Sequence, residues 1–269
     1  MLTISQLFIY PIKSLAGISV STCEVTNRGL KNDRRWMIVD KDNQFLTLRE
    51  YPKMALLDVR IEDKTLMIKS REHPKNDLII PLIPTKNSLE KVTIWNATVQ
   101  AKHIINEADE WLSDMLGGNC KLVYMPDESM RPVDTTSGYH PAGKFTSFAD
   151  AYPFLLLGEA SLEDLNSRSE KQFSINRFRP NIVFSGGLPN QEDSFENFSI
   201  NDVDFIGLEN CARCKIPNVN PETGVLGTDN EPLKTLSKYR LRNKNIEFGR
   251  NIVFNGTGII NVGDELKVQ

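Results

Sequence analysis

The first half of the chain runs in short apolar bursts broken by polar turns. Residues 7–10, 18–25, 36–39, 54–61, 66–68, 78–82 and 92–95 are rich in aliphatic, β-branched and aromatic side chains. Asn27-Arg28-Gly29, Asp40-Lys41-Asp42-Asn43 and Pro74-Lys75-Asn76 punctuate them. Many short strands with frequent turn signals predict a barrel or sandwich. One helix interrupts the series over residues 107–116, where Ala108, Trp111, Leu112 and Met115 recur at helical spacing. Asn106 is its expected N-cap, Glu107, Asp109 and Glu110 load its first turn with negative charge, and Gly117-Gly118 follows its end. Residues 120–124 read as another strand.

The segment 126–148 is polar and carries no period, so it reads as a long loop, and such loops are often functional. Beyond it the pattern mixes. Residues 152–157, 181–184, 251–254, 258–261 and 265–268 read as strands, with Pro153 confined to the start of its run. Ser161-Leu162-Glu163-Asp164 resembles a capped helix start. Residues 232–239 place Leu233, Leu236 and Tyr239 at helical spacing behind an early Pro232. The whole predicts a mainly β fold with some helix, divided near Met125 into segments 1–125 and 126–269. No internal repeat is present.

Composition narrows the function classes. Hydrophobic residues make up 40% and charged residues 25%, which argues against wholesale disorder. Thirty-two Lys and Arg against 35 Asp and Glu leave −3, so no global field favours nucleic acid or an anionic membrane surface. No apolar stretch approaches the roughly 20 residues of a spanning helix. The opening MLTISQLFIYPIKS lacks a basic region ahead of its apolar part, and no signal peptide is expected. Four cysteines in 269 residues make no disulfide scaffold, so a reducing, cytoplasmic setting is expected.

The sharpest local feature is Cys211-Ala212-Arg213-Cys214. A structural zinc site would need further paired ligands, which Cys23, Cys120, His73, His103 and His140 do not offer. A thioredoxin-like pair should open a helix, and Pro217 and Pro221 oppose one. A single reactive thiolate remains, with Arg213 and Lys215 flanking Cys214, beside the plainer reading of two buried, inert thiols. A second feature is basic. Lys13-Ser14, Arg34-Arg35 and Arg179 each adjoin a strand, and such side chains on one pocket would hold an anion. If Arg34 and Arg35 share a strand, only one of them enters that pocket. His140 is a candidate proton donor from its loop, and Asp150 a candidate site residue or turn former.

Taken together, five pieces resemble the MOSC family (molybdenum cofactor sulfurase C-terminal domain) preceded by its N-terminal β-barrel domain. They are Tyr10-Pro11-Ile12-Lys13-Ser14, Asp33-Arg34-Arg35-Trp36, Phe178-Arg179-Pro180-Asn181, Cys211-Ala212-Arg213-Cys214 with Asn220-Pro221-Glu222-Thr223-Gly224, and the run 258–264. The resemblance extends to the mitochondrial amidoxime-reducing component and its bacterial counterparts, which reduce N-hydroxylated compounds. It implies that Cys214 is the protein ligand to molybdenum and the catalytic centre. It implies that Lys13, Ser14, Arg34 and Arg179 hold the phosphate and pterin of a molybdenum cofactor (molybdopterin), with Asn181, Asp150 and Arg213 close to it. The implied reaction takes an N–OH group to N–H and water. Lacking the extra four-cysteine set of an iron–sulfur domain, the chain is expected to draw electrons from a separate flavin or iron–sulfur reductase. Two other readings stay open. One is a sulfur- or molybdenum-cofactor-carrier protein using Cys214, the other a non-enzymatic module binding another anion.

Overall fold

The computed structural model describes residues 1–74, 77–84, 88–134 and 141–269. The candidate His140, with residues 135–139 of its loop, lies outside the described residues. The fold is mainly β, with three α-helices among the described residues.

Seven strands close a barrel. Around it run Phe154–Gly158, Ile182–Ser185, Leu2–Ile9, Glu265–Val268, Asn197–Ile200, Val203–Ala212 and Asn245–Asn255, the last pairing back on the first. The chain's opening strand is thus a stave among strands drawn from its second half. Only Phe154–Gly158 and Ile182–Ser185 run parallel, and the helix Glu159–Ser167 lies in the connection between them. Alternate residues point inward, as the two-residue period of a strand requires. Ile4, Leu7, Phe154, Leu156, Phe184, Phe198, Phe205, Ile252 and Phe254 fill the interior as one buried cluster. The ring of Phe154 meets those of Phe205 and Phe254 edge-on at 5.4 and 5.3 Å, a favoured aromatic geometry. Outside the wall, Leu165 and Leu236 anchor the helices Glu159–Ser167 and Leu233–Arg240 against Leu157, Val183 and Phe248.

The remaining N-terminal segment forms a four-stranded sheet in the order Trp36–Asp40, Cys120–Tyr124, Ala97–His103, Leu89–Ile94, with Leu57–Glu62, Thr65–Ser70 and Leu78–Pro81 in a second. The helix Asn106–Leu116 buries Ala108, Trp111 and Leu112 in the core between these elements. Asn106 is its first helical residue rather than its cap. Ile105 holds that place without a side-chain cap, and Gly117 closes the other end at φ 72°. The run read as one strand over 54–61 divides, because Pro52 opens a 3-10 turn over Pro52–Leu56 before Leu57–Glu62 extends. The strands Ala97–His103 and Val203–Ala212 have no counterpart in the sequence reading. In the second, Asp204, Gly207, Glu209 and Asn210 break the apolar run.

Candidate functional site

Two turns from the first half of the chain meet the segment around Asn181 at one end of the barrel. After Leu2–Ile9 the chain folds back through Pro11, and backbone bonds lace it to the turn before Trp36. Arg34 N–H donates to the Tyr10 carbonyl at 2.8 Å, Trp36 N–H to that of Pro11 at 3.0 Å, and Lys13 N–H to that of Trp36 at 2.8 Å. Arg34 therefore sits in a turn rather than a strand. It enters the cavity described below, whereas Arg35 turns away to the Met125 carbonyl and the Tyr124 hydroxyl. Asn181 ties in the other half. Its side-chain oxygen accepts from Arg34 at 2.9 Å and its amide donates to the Phe8 carbonyl at 3.2 Å.

The cavity that results measures about 1050 Å³. Lys13, Ser14, Arg34, Asp150, Arg179, Asn181, Arg213 and Cys214 all line it. The backbone here is unusual. Ser14, Arg34, Trp95 and Arg179 have φ of 71°, 48°, 51° and 57°. Among the described residues the other left-handed non-glycines are Asn or Asp, except Lys244. Side chains with a bulky Cβ seldom occupy that region, and it persists where surrounding structure enforces it, often at functional sites.

Six cationic side chains line the cavity against three carboxylates, Asp134, Asp150 and Glu209. Tyr10 lies between two of the cations, with the Arg34 and Arg179 guanidinium carbons 4.4 and 4.2 Å from its ring centre. Burial pushes its phenol up to about 12, so the ring stays neutral beneath them. Burial also draws Arg179 down to about 10, which leaves it charged at neutral pH. Arg179 donates to the Leu15 carbonyl at 2.7 Å. Asp150 is the hub of the opposite wall. Lys13 donates to its carboxylate, as do Arg49 at 3.1 Å and the Trp95 indole at 3.3 Å. Burial opposes its ionisation, but the charges of Lys13 and Arg49 hold its carboxyl well below the usual carboxylate range. The strap leading to Asp150 is clamped by Arg131, which donates to the carbonyls of Ser147 at 3.0 Å, of Ala149, and of Asp150 at 2.8 Å.

Lys13 feels the same burial with the opposite result. Its side chain is 6% exposed, against 49% for Asp150, and burial draws the amine down to about 8 although Asp150 pulls it up. An unfolded lysine holds its proton to about 10.4. Between about 8 and that value the native state binds fewer protons than the unfolded one, so its stability rises with pH there. Attraction for an anion changes the other way, because the neutral amine no longer offers charge. Isothermal titration with pyrophosphate is therefore expected to show affinity falling about tenfold as pH rises through this range, the lower end of one charge-assisted hydrogen bond. Lys13→Met should lack most of this step, and a pH-independent wild-type affinity would exclude Lys13 as an anion ligand.

Cys214 reaches the cavity from the end of Val203–Ala212. That strand slips register against Asn245–Asn255 between Gly207 and Glu209 and again between Asn210 and Ala212. Such bulges re-aim side chains, and here Glu209 and Cys211 face the cavity while Asn210 bonds Glu247 and Arg250. Arg213 is pinned by its N–H to the Ile246 carbonyl at 2.7 Å, and its guanidinium goes to the Phe178 carbonyl at 2.8 Å and the Cys211 sulfur at 3.2 Å. The expected flanking cation Lys215 is exposed instead. The cation that borders Cys214 on the cavity wall is Arg49, from the N-terminal segment. Among the described residues no three His, Cys, Asp or Glu converge as a metal-ligand set. Arg49 and Arg131 escaped the sequence reading, since neither lies in a patterned motif, and Trp95 passed there as the last residue of the strand-like run 92–95, although the strand ends at Ile94. Arg177 bonds the carbonyls of Pro217 and Val219, and His103 pairs with Asp109 at 2.6 Å, away from the cavity.

Residues 1–119 match the MOSC N-terminal beta barrel domain, and residues 144–267 match the MOSC domain. The chain is 36% identical to mitochondrial amidoxime-reducing component 1 of Mus musculus, over 97% of this chain and 81% of that protein. The Homo sapiens component 1 is 34% identical over the same shares. Mitochondrial amidoxime reducing component 2 of Bos taurus is 33% identical over 89% of this chain and 72% of that protein. These names overturn the expected cytoplasmic setting, since the relatives are called mitochondrial. All four cysteines are free thiols, which fits a reducing compartment but does not single out the cytoplasm. No helix among the described residues is long and apolar enough to cross a membrane.

Proposed function

The chain belongs to the MOSC family, and on that premise we propose that it is an oxidoreductase that reduces N-hydroxylated compounds at a molybdenum cofactor, using electrons from a separate protein. One observation supports this above the rest. The half-buried Cys214 thiol shares a cavity with cationic side chains from segments far apart in sequence. The relatives carry amidoxime reduction in their names, which supports the reaction class.

The residues present suit such a group. Cys214 would supply the one soft protein donor that a sulfur-bound molybdenum calls for, without a cage of further protein ligands. An excess of cations in the cavity matches the negative charge of a phosphate and of the metal-bound sulfurs. Lys13, Ser14, Arg34 and Arg179 are the residues that would hold the phosphate and pterin. Asn181 fixes Arg34, and Asp150 fixes Lys13 and Arg49. Ala212 offers only backbone beside them. Arg213 keeps its buried Nε without a partner, which leaves a donor among these residues. When bound, the cofactor supplies two-electron chemistry with oxygen-atom transfer. The protein's share is to hold and orient it in a pre-set cationic frame. The overall change breaks one N–O bond, consumes two electrons and two protons, and yields the N–H product and water.

Metal and pterin analysis of protein from a host that makes the cofactor tests the assignment, with near-stoichiometric molybdenum and pterin expected. Little metal with cyanide-releasable sulfur would replace this reading by that of a persulfide carrier. The holoprotein is expected to reduce benzamidoxime with a chemical reductant and not with NADH alone. Turnover on NADH without a second protein would overturn the separate electron donor.

A further inference from the structure

The hairpin between Leu89–Ile94 and Ala97–His103 turns on two residues, Trp95 and Asn96, and both line the cavity. A two-residue loop with positive φ at its first position favours glycine there, because other side chains pay in steric strain. This chain places its largest side chain at that position, at φ 51°. Core packing does not account for the choice, since Trp95 keeps 43% of its surface exposed while Trp36 and Trp111 keep 1% and 8%.

The ring is nonetheless held firmly. Its indole N–H donates to Asp150 at 3.3 Å, the Arg49 guanidinium carbon lies 4.7 Å from its ring centre, and the Phe45 ring sits 4.9 Å away, tilted by 56°. Arg49 and Asp150 are the same groups that border Cys214 and Lys13. An exposed, strained and immobilised aromatic at the site is a local rule broken where function is expected. It costs no further ordering when a flat ligand settles on it.

We infer that Trp95 is a specificity-determining residue, the ledge on which the unreacting body of a substrate rests, and that it selects N-hydroxylated compounds carrying an aryl or other flat apolar group. The inference rests on the proposed reductase reading and adds to it which substrates of that class the site prefers.

Benzamidoxime and acetamidoxime share the N-hydroxylated head and differ in the ring, so they separate the two claims. Each is titrated into the holoprotein without reductant, by calorimetry and by tryptophan emission. Benzamidoxime is expected to bind about tenfold more tightly than acetamidoxime, in line with one well-placed aromatic contact, and to change the emission. Trp95→Ala should abolish the preference and the emission change. Trp95→Phe should keep the preference but lose the emission change, because Trp36 and Trp111 are buried. Equal affinity of the two ligands for the wild type, a preference that survives in Trp95→Ala, or an emission change that survives in Trp95→Phe would overturn the role of Trp95 alone. Failure of both amidoximes to bind would overturn the reductase reading, and this inference with it. Thermal melts of both variants within a few degrees of the wild type are the control for folding.

Discussion

Cys214→Ser is expected to strip the protein of molybdenum and to lower reduction of N-hydroxylated compounds by more than about 100-fold, beyond the loss usual for groups one shell from a metal. A serine oxygen is a hard donor with a high pKa, and it does not replace a soft thiolate on a sulfur-bound metal. The fold should survive, because Cys214 is half-buried on a cavity wall rather than packed in the core. Cys211→Ala provides the contrast. Arg213 holds that sulfur at 3.2 Å, and burial raises the thiol, although Arg213 pulls it down. Its loss should leave metal content near that of the wild type. Metal analysis of both variants decides the matter, and retention of molybdenum by Cys214→Ser would remove the thiol from the ligand set.

Arg131→Ala should have the largest effect on stability. One buried guanidinium serves the carbonyls of Ser147, Ala149 and Asp150, and Lys13 serves that of Phe148 between them. Phe148 N–H in turn donates to the Arg34 carbonyl at 2.8 Å. Truncation leaves two buried acceptors and one partly buried acceptor without their donor, at a cost of about 3–5 kcal/mol. In a chain of this size that corresponds to a fall of about 10 °C in Tm. The strap carrying Asp150 loosens at the same time, so cofactor retention should fall with it. Arg131→Lys, which reaches fewer of these oxygens, should lie between. A melt within about 2 °C of the wild type would show that the strap stands without the clamp.

Much of the fold was legible where turns bound the strands. Cys120–Tyr124, Gly258–Asn261 and Glu265–Val268 match the apolar runs residue for residue, since Gly118-Asn119, Asn255-Gly256 and Gly263-Asp264 mark where each begins. Val203–Ala212 was not legible, and the reason is chemical. A strand that presents Glu209 and Cys211 to a cavity and bulges twice to do so forfeits the apolar signature by which strands are read. The site divides in the same way. Lys13, Arg34, Arg179 and Cys214 stand in short patterned pieces and all line the cavity. Arg49 and Arg131 are single arginines in unpatterned surroundings, and only the chain folded opposite them gives them meaning.

The first strand pairs Leu2 with Leu266 and Thr3 with Glu265. Ile182–Ser185 is available to this strand earlier, but at the roughly 5–20 residues per second of ribosomal synthesis the pairing with Glu265–Val268 follows roughly ten to fifty seconds after Leu2 is made. Until then the nascent barrel has an open seam, with unpaired edges that invite chaperone binding. A chain cut short before Glu265 leaves that seam unclosed and should aggregate rather than fold.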